Sequence, residues 1–274
     1  MRHIGLHLRL NDSIMDAASE AVRLGTPIFQ CFLINQLHRR LIKVDTHTIA
    51  SLQALRPKIH TIYIHGSYWI NLAGLQQRGN RALFREIELA KRLECSHLIL
   101  HPGSAVGISN HADRIDALAH VLNKITKDEP AMTFILENTC HGNSSVGSNL
   151  EDFYHLKQKL ERPEQVTFCV DTAHAHAYGY DLVDPDKQND FIELIDQTMG
   201  LENVELIHLN DAAHEQGSRI DKHAAIGNGC IGESALKTFA LDPRLSSIPL
   251  ILELPILPDG DEDAMLQKVQ CWHK

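Results

Sequence analysis

The feature of this chain that most constrains its fold is a regular alternation of short apolar runs with amphipathic segments. Eight runs are rich in β-branched and other apolar residues, which is typical of parallel strands that are covered on both faces. The predicted strands are Ile4–Leu8, Ile28–Leu33, Thr61–Ile64, His97–Leu100, Met132–Leu136, Thr167–Val170, Val204–Leu209 and Ile248–Leu252.

The segments between these runs carry apolar residues at helical spacing, as at Leu83, Ile87 and Ala90. Alternating strands and helices predict βα units, and eight units in 274 residues predict a (β/α)8 TIM barrel that spans 1–274 as a single domain. A doubly wound open sheet is the rival fold. It is disfavoured because Leu8–Ser13, which follows the first strand, lacks the glycines of a phosphate-binding loop.

Composition excludes several classes of protein. The apolar fraction of 43% and the charged fraction of 22% are ordinary for a soluble globular protein. No run approaches the roughly 18 apolar residues of a membrane-spanning helix, and no signal-peptide pattern is visible. The six cysteines form no Cys-x-x-Cys pair. We therefore expect a cytoplasmic protein with reduced thiols and no membrane partner.

Side chains that can bind metals stand at the ends of six consecutive predicted strands. They are His65, His101, Glu137, Asp171, His208 and Glu253. Because the C-terminal ends of barrel strands converge on one face, these side chains are expected to point into one bowl. Three further candidates follow in loops, namely His174, Asp221 and His223. Imidazole and carboxylate ligands suit zinc, with manganese or iron as alternatives.

A single histidine or glutamate at a strand end is more often a hydrogen-bonded or capping residue than a ligand. The interpretation therefore rests on the whole series, in which four carboxylates would repel one another without cations. The chain has 18 histidines. Of those outside the series, His273 is expected on the surface, and His7 could lie near the bowl without a metal assigned to it.

The blocks around these positions resemble the endonuclease IV family of abasic-site nucleases, within the xylose-isomerase-like barrels. The matching blocks include His65–Leu72, His101–Ser104, Glu137–Thr139, Val170–His174, His208–Ala212 and Pro249–Glu253. All nine ligand positions of the family hold a suitable residue. The resemblance implies three zinc ions, with manganese or iron as partial replacements. The implied ligand sets are His65, His101 and Glu137; Glu137, Asp171, His208 and Glu253; and His174, Asp221 and His223.

The activity that the resemblance implies is that of a zinc-dependent apurinic/apyrimidinic endonuclease of base excision repair. Such an enzyme hydrolyses double-stranded DNA on the 5′ side of an abasic site and leaves a 3′-hydroxyl and a 5′-deoxyribose phosphate. A 3′-phosphodiesterase activity is also expected. The expected catalytic residues are Glu137, which would bridge two metals, and Glu253, which would orient the attacking hydroxide. A monomer is expected.

The formal net charge of −9 at first argues against a nucleic-acid partner. Three zinc ions would add six positive charges and bring the total to about −3, with the bowl itself becoming positive. We therefore expect electrostatic attraction of phosphate at the bowl and no basic surface overall.

The predicted DNA-contacting segments match the family less closely than the metal site does. In the loop after the second strand, Asn35, Gln36 and Arg39 fit, but Leu37 stands where a polar or basic residue is usual. Leu37 could wedge into the base stack or pack within its own loop. Tyr68 occupies the position of the family's probing tyrosine and could instead be an ordinary aromatic residue of the rim.

Two alternative functions stay open. A single-metal sugar or sugar-phosphate isomerase or epimerase would use only four of the candidates, with glutamates for proton transfer at carbon. Such an enzyme would leave five candidate ligands without a role, and the presence of these five favours the nuclease. They are His65, His101, His174, Asp221 and His223. A non-catalytic DNA-binding relative would have lost a ligand, and none is lost.

Overall fold

The computed structural model describes residues 2–35, 40–74, 77–142, 144–258 and 261–273. Twelve strands lie within these ranges. They are β1 (Ile4–His7), β2 (Ile28–Phe32), β3 (Ile34–Asn35), β4 (Arg40–Leu41), β5 (Thr61–His65), β6 (His97–Leu100), β7 (Thr133–Glu137), β8 (Val166–Asp171), β9 (Val204–His208), β10 (Asp211–Ala212), β11 (His223–Ala224) and β12 (Leu250–Leu252).

Eight of the strands close into a parallel barrel in the order β1-β12-β9-β8-β7-β6-β5-β2. Closure is made by β1, whose Ile4 lies opposite Leu250 on one side and whose Leu6 lies opposite Phe29 on the other. All eight predicted strands are present with bounds shifted by no more than two residues. The TIM barrel is confirmed, and the open sheet is excluded.

Nine helices within the described residues surround the barrel or join its strands. They are α1 (Ile14–Leu24), α2 (Thr46–Leu55), α3 (Gln77–Arg92), α4 (His111–Asp128), α5 (Glu151–Lys157), α6 (Thr172–Tyr178), α7 (Pro185–Thr198), α8 (Glu233–Ala240) and α9 (Asp261–Trp272). Among the described residues, none of these helices is both long and apolar enough to cross a membrane.

Local sequence signals explain where the first helix begins and ends. Ser13 and Asp16 form a capping box at the start of α1, which satisfies backbone N–H groups that have no partner within the helix. Gly25 ends the helix in the left-handed conformation, with φ 68°, where glycine carries no steric penalty.

The interior of the barrel is built in layers, because residues two apart on a strand face the same side. One layer is an apolar floor, which consists of Ile28, Tyr63, Ile99, Ile135, Cys169, Leu206 and Ile251. Two positions further along each of the same strands stand Gln30, His65, His101, Glu137, Asp171, His208 and Glu253. The polar bowl therefore rests directly on the floor.

A second and larger apolar core lies between the outer surface of the strands and the helices. It includes Phe29, Phe134 and Phe168, all fully buried. Four of the six cysteines are buried and none is paired, in agreement with the prediction of reduced thiols.

Gly5 is the eighth member of the floor, and its missing side chain allows neighbouring strands to close over it. A Cβ atom at this position would lie 2.2 Å from the backbone oxygen of Ile28 and 3.0 Å from Cδ1 of Ile251. Replacing Gly5 by any larger residue must therefore push adjacent strands apart.

We predict that Gly5→Ala lowers the free energy of unfolding by about 1–3 kcal/mol, the usual cost of overpacking a core. Urea denaturation measures this. The matched control is Gly142→Ala, since a Cβ at the exposed Gly142 meets nothing within 4 Å. The control should change stability by less than about 0.5 kcal/mol. Equal stability of Gly5→Ala and the unmodified protein would contradict the packing described.

Candidate metal centre

The six strand-end residues predicted from the sequence all lie in one bowl at the C-terminal end of the barrel. Four of them end their strands, and His101 and Glu253 directly follow β6 and β12. Glu137, Asp171 and His208 are fully buried. The expected convergence of strand ends therefore brings this set together.

Glu137 stands at the centre of the bowl, and its two carboxylate oxygens face different neighbours. Oε2 lies 3.1 Å from Nε2 of His65 and 3.1 Å from Nε2 of His101. Oε1 lies 2.9 Å from Nδ1 of His208 and 3.3 Å from Nδ1 of His174. This division of oxygens is the geometry that a carboxylate shared by two cations requires.

His208 is the meeting point of a second group of potential ligands. Besides Glu137, its Nδ1 lies 3.4 Å from Oε2 of Glu253 and 3.8 Å from Oδ2 of Asp171. The potential ligand atoms of these four residues all lie within 4.8 Å of one another. The structure thus brings together the four residues of the second predicted ligand set, and their role as metal ligands stays a prediction.

The third group of potential ligands lies where the N-terminus of α6 meets the hairpin formed by β10 and β11. Asp171 caps α6 by accepting a hydrogen bond from the backbone N–H of His174 at 2.7 Å, and β10 pairs with β11 to bring in His223. Asp221 lies 3.1 Å from Nε2 of His174 and 3.7 Å from Nε2 of His223. Asp171 also lies 3.7 Å from Nε2 of His223, so it adjoins both the second and third groups.

The ring orientation of the histidines is fixed by hydrogen bonds on the side away from the carboxylates. Nδ1 of His65 donates to the backbone oxygen of Gly66 at 2.8 Å, and Nδ1 of His223 donates to that of Glu253 at 3.1 Å. Nε2 of His208 donates to Oε1 of Gln30 at 2.7 Å. Since each ring donates a proton through this nitrogen, its other nitrogen is the one left to bind a metal ion.

Two observations test whether these residues fit a metal ion. Nε2 of His223 is buried and has no hydrogen-bond partner among the described residues, although such atoms are normally satisfied. Ligands at about 2.0–2.1 Å from a tetrahedral zinc ion stand roughly 3.3–3.5 Å apart. The nitrogen–oxygen distances of 3.1 Å around Glu137 and 3.4 Å between His208 and Glu253 are close to that spacing. The donor set therefore fits divalent metal ions.

Electrostatics in the bowl favour ionised carboxylates. Burial raises the pKa of Glu137, but the positive charges of His208 and His101 outweigh it and hold this pKa well below its ordinary value. At Asp221 burial is likewise outweighed by its hydrogen bond to His174, and the pKa falls to about 2. Protonated imidazoles balance these anions in the bare protein, and a divalent cation would take the place of those protons.

Three residues outside the predicted ligand sets hold the carboxylates in place. The sequence placed His7 near the bowl, but sequence reasoning missed Gln30 and Asn210. Gln30 donates to Oε1 of Glu253 at 2.5 Å, and Nδ1 of His7 lies 2.9 Å from the same oxygen. Asn210 donates to Oδ2 of Asp171 at 2.6 Å. A signal for Gln30 was available, since it is a lone amide in an otherwise apolar strand.

The glycine-rich loop after β11 is also organised by one buried carboxylate. Asp211 accepts hydrogen bonds from the backbone N–H groups of Gly227, Gly229, Ile231 and Gly232 at 2.9–3.2 Å. A Cβ at Gly229 would lie 2.4 Å from Oδ1 of Asp211, so this close approach requires glycine.

The predicted DNA contacts lie partly outside the described residues. Gln36, Leu37 and Arg39 fall in the gap between 35 and 40, and their predicted roles stay predictions. Tyr68 is 63% exposed on the rim, with ring centroids 5.9 Å from His65 and 6.0 Å from His101. Asn35 lines the same cavity of about 490 Å³ as Tyr68, beside Glu253.

The family of the chain follows from comparison with known proteins. A family model described as a xylose isomerase-like TIM barrel matches residues 18–273. A protein of Chloroflexus aggregans, named a probable endonuclease 4, is 31% identical over 272 residues, which cover 97% of this chain and 95% of that protein. The chain belongs to the endonuclease IV family of xylose isomerase-like TIM barrels. The resemblance drawn from the sequence is thereby confirmed.

Solved structures of this family and beyond it agree with the barrel. Endonuclease IV from Thermus thermophilus has a TM-score of 0.84 and 30% identity, and the match covers 99% of this chain and 98% of that one. A D-tagatose 3-epimerase-like protein has a TM-score of 0.71 over 100% of both chains at 17% identity. The second likeness shows a shared fold alone.

We predict that Gln30→Leu weakens Zn²⁺ binding by about 10- to 100-fold, because it frees both Glu253 and His208 from their positioning hydrogen bonds. Titration against a chelating dye measures the affinity. The matched control is Gln188→Leu, since Gln188 is also buried but bonds only the backbone oxygens of Leu182 and Ala235. Unchanged zinc affinity in Gln30→Leu would refute its positioning role.

Proposed function

We propose that this protein is a metal-dependent AP endonuclease that hydrolyses the phosphodiester on the 5′ side of an abasic site in double-stranded DNA. The products are a 3′-hydroxyl and a 5′-deoxyribose phosphate, and removal of 3′-blocking phosphodiesters is part of the same proposal. The observation that carries it is the meeting of all nine candidate ligands in one bowl, with Glu137 turned toward two groups of them. Membership of the endonuclease IV family supports it.

Three zinc ions are proposed for the bowl, with manganese or iron as partial replacements. The first would be held by His65, His101 and Glu137, the second by Glu137, Asp171, His208 and Glu253, and the third by His174, Asp221 and His223. When bound, zinc supplies a water of pKa near 7 and positive charge for the transition state at phosphorus.

The protein's own groups would position the reactants. Glu253 is anchored through Oε1 by Gln30 and His7, which leaves Oε2 turned toward His208 and the centre of the bowl. In that position Glu253 can accept a hydrogen bond from the attacking water and direct its lone pair toward phosphorus. Glu137 fixes the distance between the two ligand groups that it joins.

DNA would approach from the rim of the bowl. Tyr68 offers an exposed ring above His65 and His101, where stacking on a base or sugar of the displaced nucleotide is geometrically open. Asn35 also lines the cavity that Tyr68 borders, and its amide donates to the backbone oxygen of Asn11. These two residues are proposed as DNA contacts.

The direct test is incubation of the zinc-loaded protein with duplex DNA that carries one synthetic abasic site. We predict a single incision on its 5′ side that leaves a 3′-hydroxyl, resolved by gel electrophoresis and extension with a polymerase. An identical duplex without the abasic site is the control and should stay intact. No incision by fully metal-loaded protein would refute the proposed activity.

Removal of the shared carboxylate tests the site. Glu137→Gln should lower the incision rate by at least about 10²-fold, since electrostatic groups aimed at developing charge contribute on this scale. Metal content by mass spectrometry should fall in the same variant. The control is Glu151→Gln, at an exposed position on α5, which should retain both. Normal turnover with full metal content in Glu137→Gln would disprove the bridging role.

A sugar isomerase or epimerase is the second candidate, because Glu137, Asp171, His208 and Glu253 form a complete group by themselves. A single-metal isomerase or epimerase would give no role to Asp221 and His174, which lie 3.1 Å apart. Turnover of ketose sugars in the absence of DNA incision would favour this candidate.

A further inference from the structure

A second cavity lies at the opposite end of the barrel from the bowl. It has a volume of about 660 Å³ and is bordered by Arg2, His3, Lys58 and His273 together with Thr26, Gln270 and apolar residues. His3 directly precedes β1, so this cavity, here called the basal pocket, opens at the N-terminal ends of the strands. No candidate metal ligand contributes to it.

The charge of the basal pocket contrasts with the rest of the chain. Among the described residues that line it, two carry permanent positive charges, two are histidines and none is a carboxylate. The ring of His60 stands 4.9 Å from that of His3 and adds a further imidazole nearby. The lining of the basal pocket is therefore basic although the formal net charge of the chain is −9.

Hydrogen bonding in the pocket is incomplete. Nε and Nη1 of Arg2 donate to the backbone oxygens of Ile248 and Ala240, which hold the guanidinium in place. Nη2 of Arg2 and Nε2 of His273 are buried and have no partner among the described residues. An unsatisfied buried donor costs about 1–3 kcal/mol, so both groups would gain from a hydrogen-bond acceptor placed against them.

His273 was expected on the surface from the sequence, and it is only partly exposed. Its ring is partly buried, and the pKa of His273 is lowered by burial and by the charge of Arg2. An anion bound beside His273 would counter both effects and favour its protonated form.

We propose that the basal pocket binds the phosphate group of a small organic phosphate monoester. Two permanent positive charges and two imidazoles match a dianion better than a monoanionic carboxylate. The wall formed by Ile4, Val22 and Pro27 offers apolar contact for the organic part, and the volume lies within the range of small-ligand sites. This site is separate from the proposed nuclease activity.

Binding of adenosine 5′-monophosphate to the metal-loaded protein tests the proposal. Because phosphate can also meet metal ions in the bowl, the ring signals of the histidines in NMR spectra identify the site, and His3 and His273 should shift. Calorimetry should show Lys58→Gln and His273→Gln binding at this site at least tenfold more weakly. Lys43→Gln and His120→Gln, at exposed positions outside the pocket, are the matched controls and should bind within twofold of the unmodified protein.

Two further ligands, adenosine and inorganic phosphate, show whether the phosphate group or the organic part of the nucleotide provides the affinity. Adenosine should not bind, and inorganic phosphate should bind more weakly than the nucleotide. Signals that shift only in the bowl, or equal affinity in the Lys58→Gln and His273→Gln variants, would overturn the proposal. So would equal binding of adenosine. Inorganic phosphate binding as tightly as the nucleotide would overturn the assignment of an organic ligand. Unchanged melting temperature and DNA incision in the variants show that they remain folded.

Discussion

The two-residue repeat of side-chain direction along eight parallel strands is the constraint on which the rest of this structure depends. In a closed barrel this repeat stacks interior residues into layers, and here one apolar layer supports one polar layer. Ile135 lies beneath Glu137, and Leu206 lies beneath His208. Since the floor is apolar and buried, the carboxylates above it lie against a medium of low dielectric constant on one side, and their interactions with cations are strengthened.

Hydrogen bonds convert that layer into an ordered site. Acceptors on the far side of each ring set the inward-facing nitrogens of His65, His208 and His223. Glu253 is anchored by Gln30 and His7. A bare cluster of buried anions would be costly, and the protonated imidazoles of the bare protein offset part of this cost. The bowl is thus prepared for cations before any substrate arrives.

Much of this arrangement could be predicted from the sequence because a period of one βα unit separates the strand-end ligands. Closure of the barrel alone brings together the six strand-end residues, which are His65, His101, Glu137, Asp171, His208 and Glu253. The sequence marked Asp221 and His223 as loop candidates, but their grouping with His174 came from resemblance. It depends on the short hairpin of β10 and β11, for which no pattern gives a register. The roles of Gln30 and Asn210 were not predicted, because each residue positions a carboxylate or imidazole that is distant in the sequence.

The central claim is that the bowl holds three metal ions and that Glu137 is shared between two of them. The most direct measurement is a crystal structure of the zinc-loaded protein with diffraction data collected on both sides of the zinc absorption edge. The account predicts three anomalous peaks in the bowl, two of them adjoining the separate oxygens of Glu137. A single peak among Glu137, Asp171, His208 and Glu253, with His65, His101 and Asp221 free of metal, would contradict it.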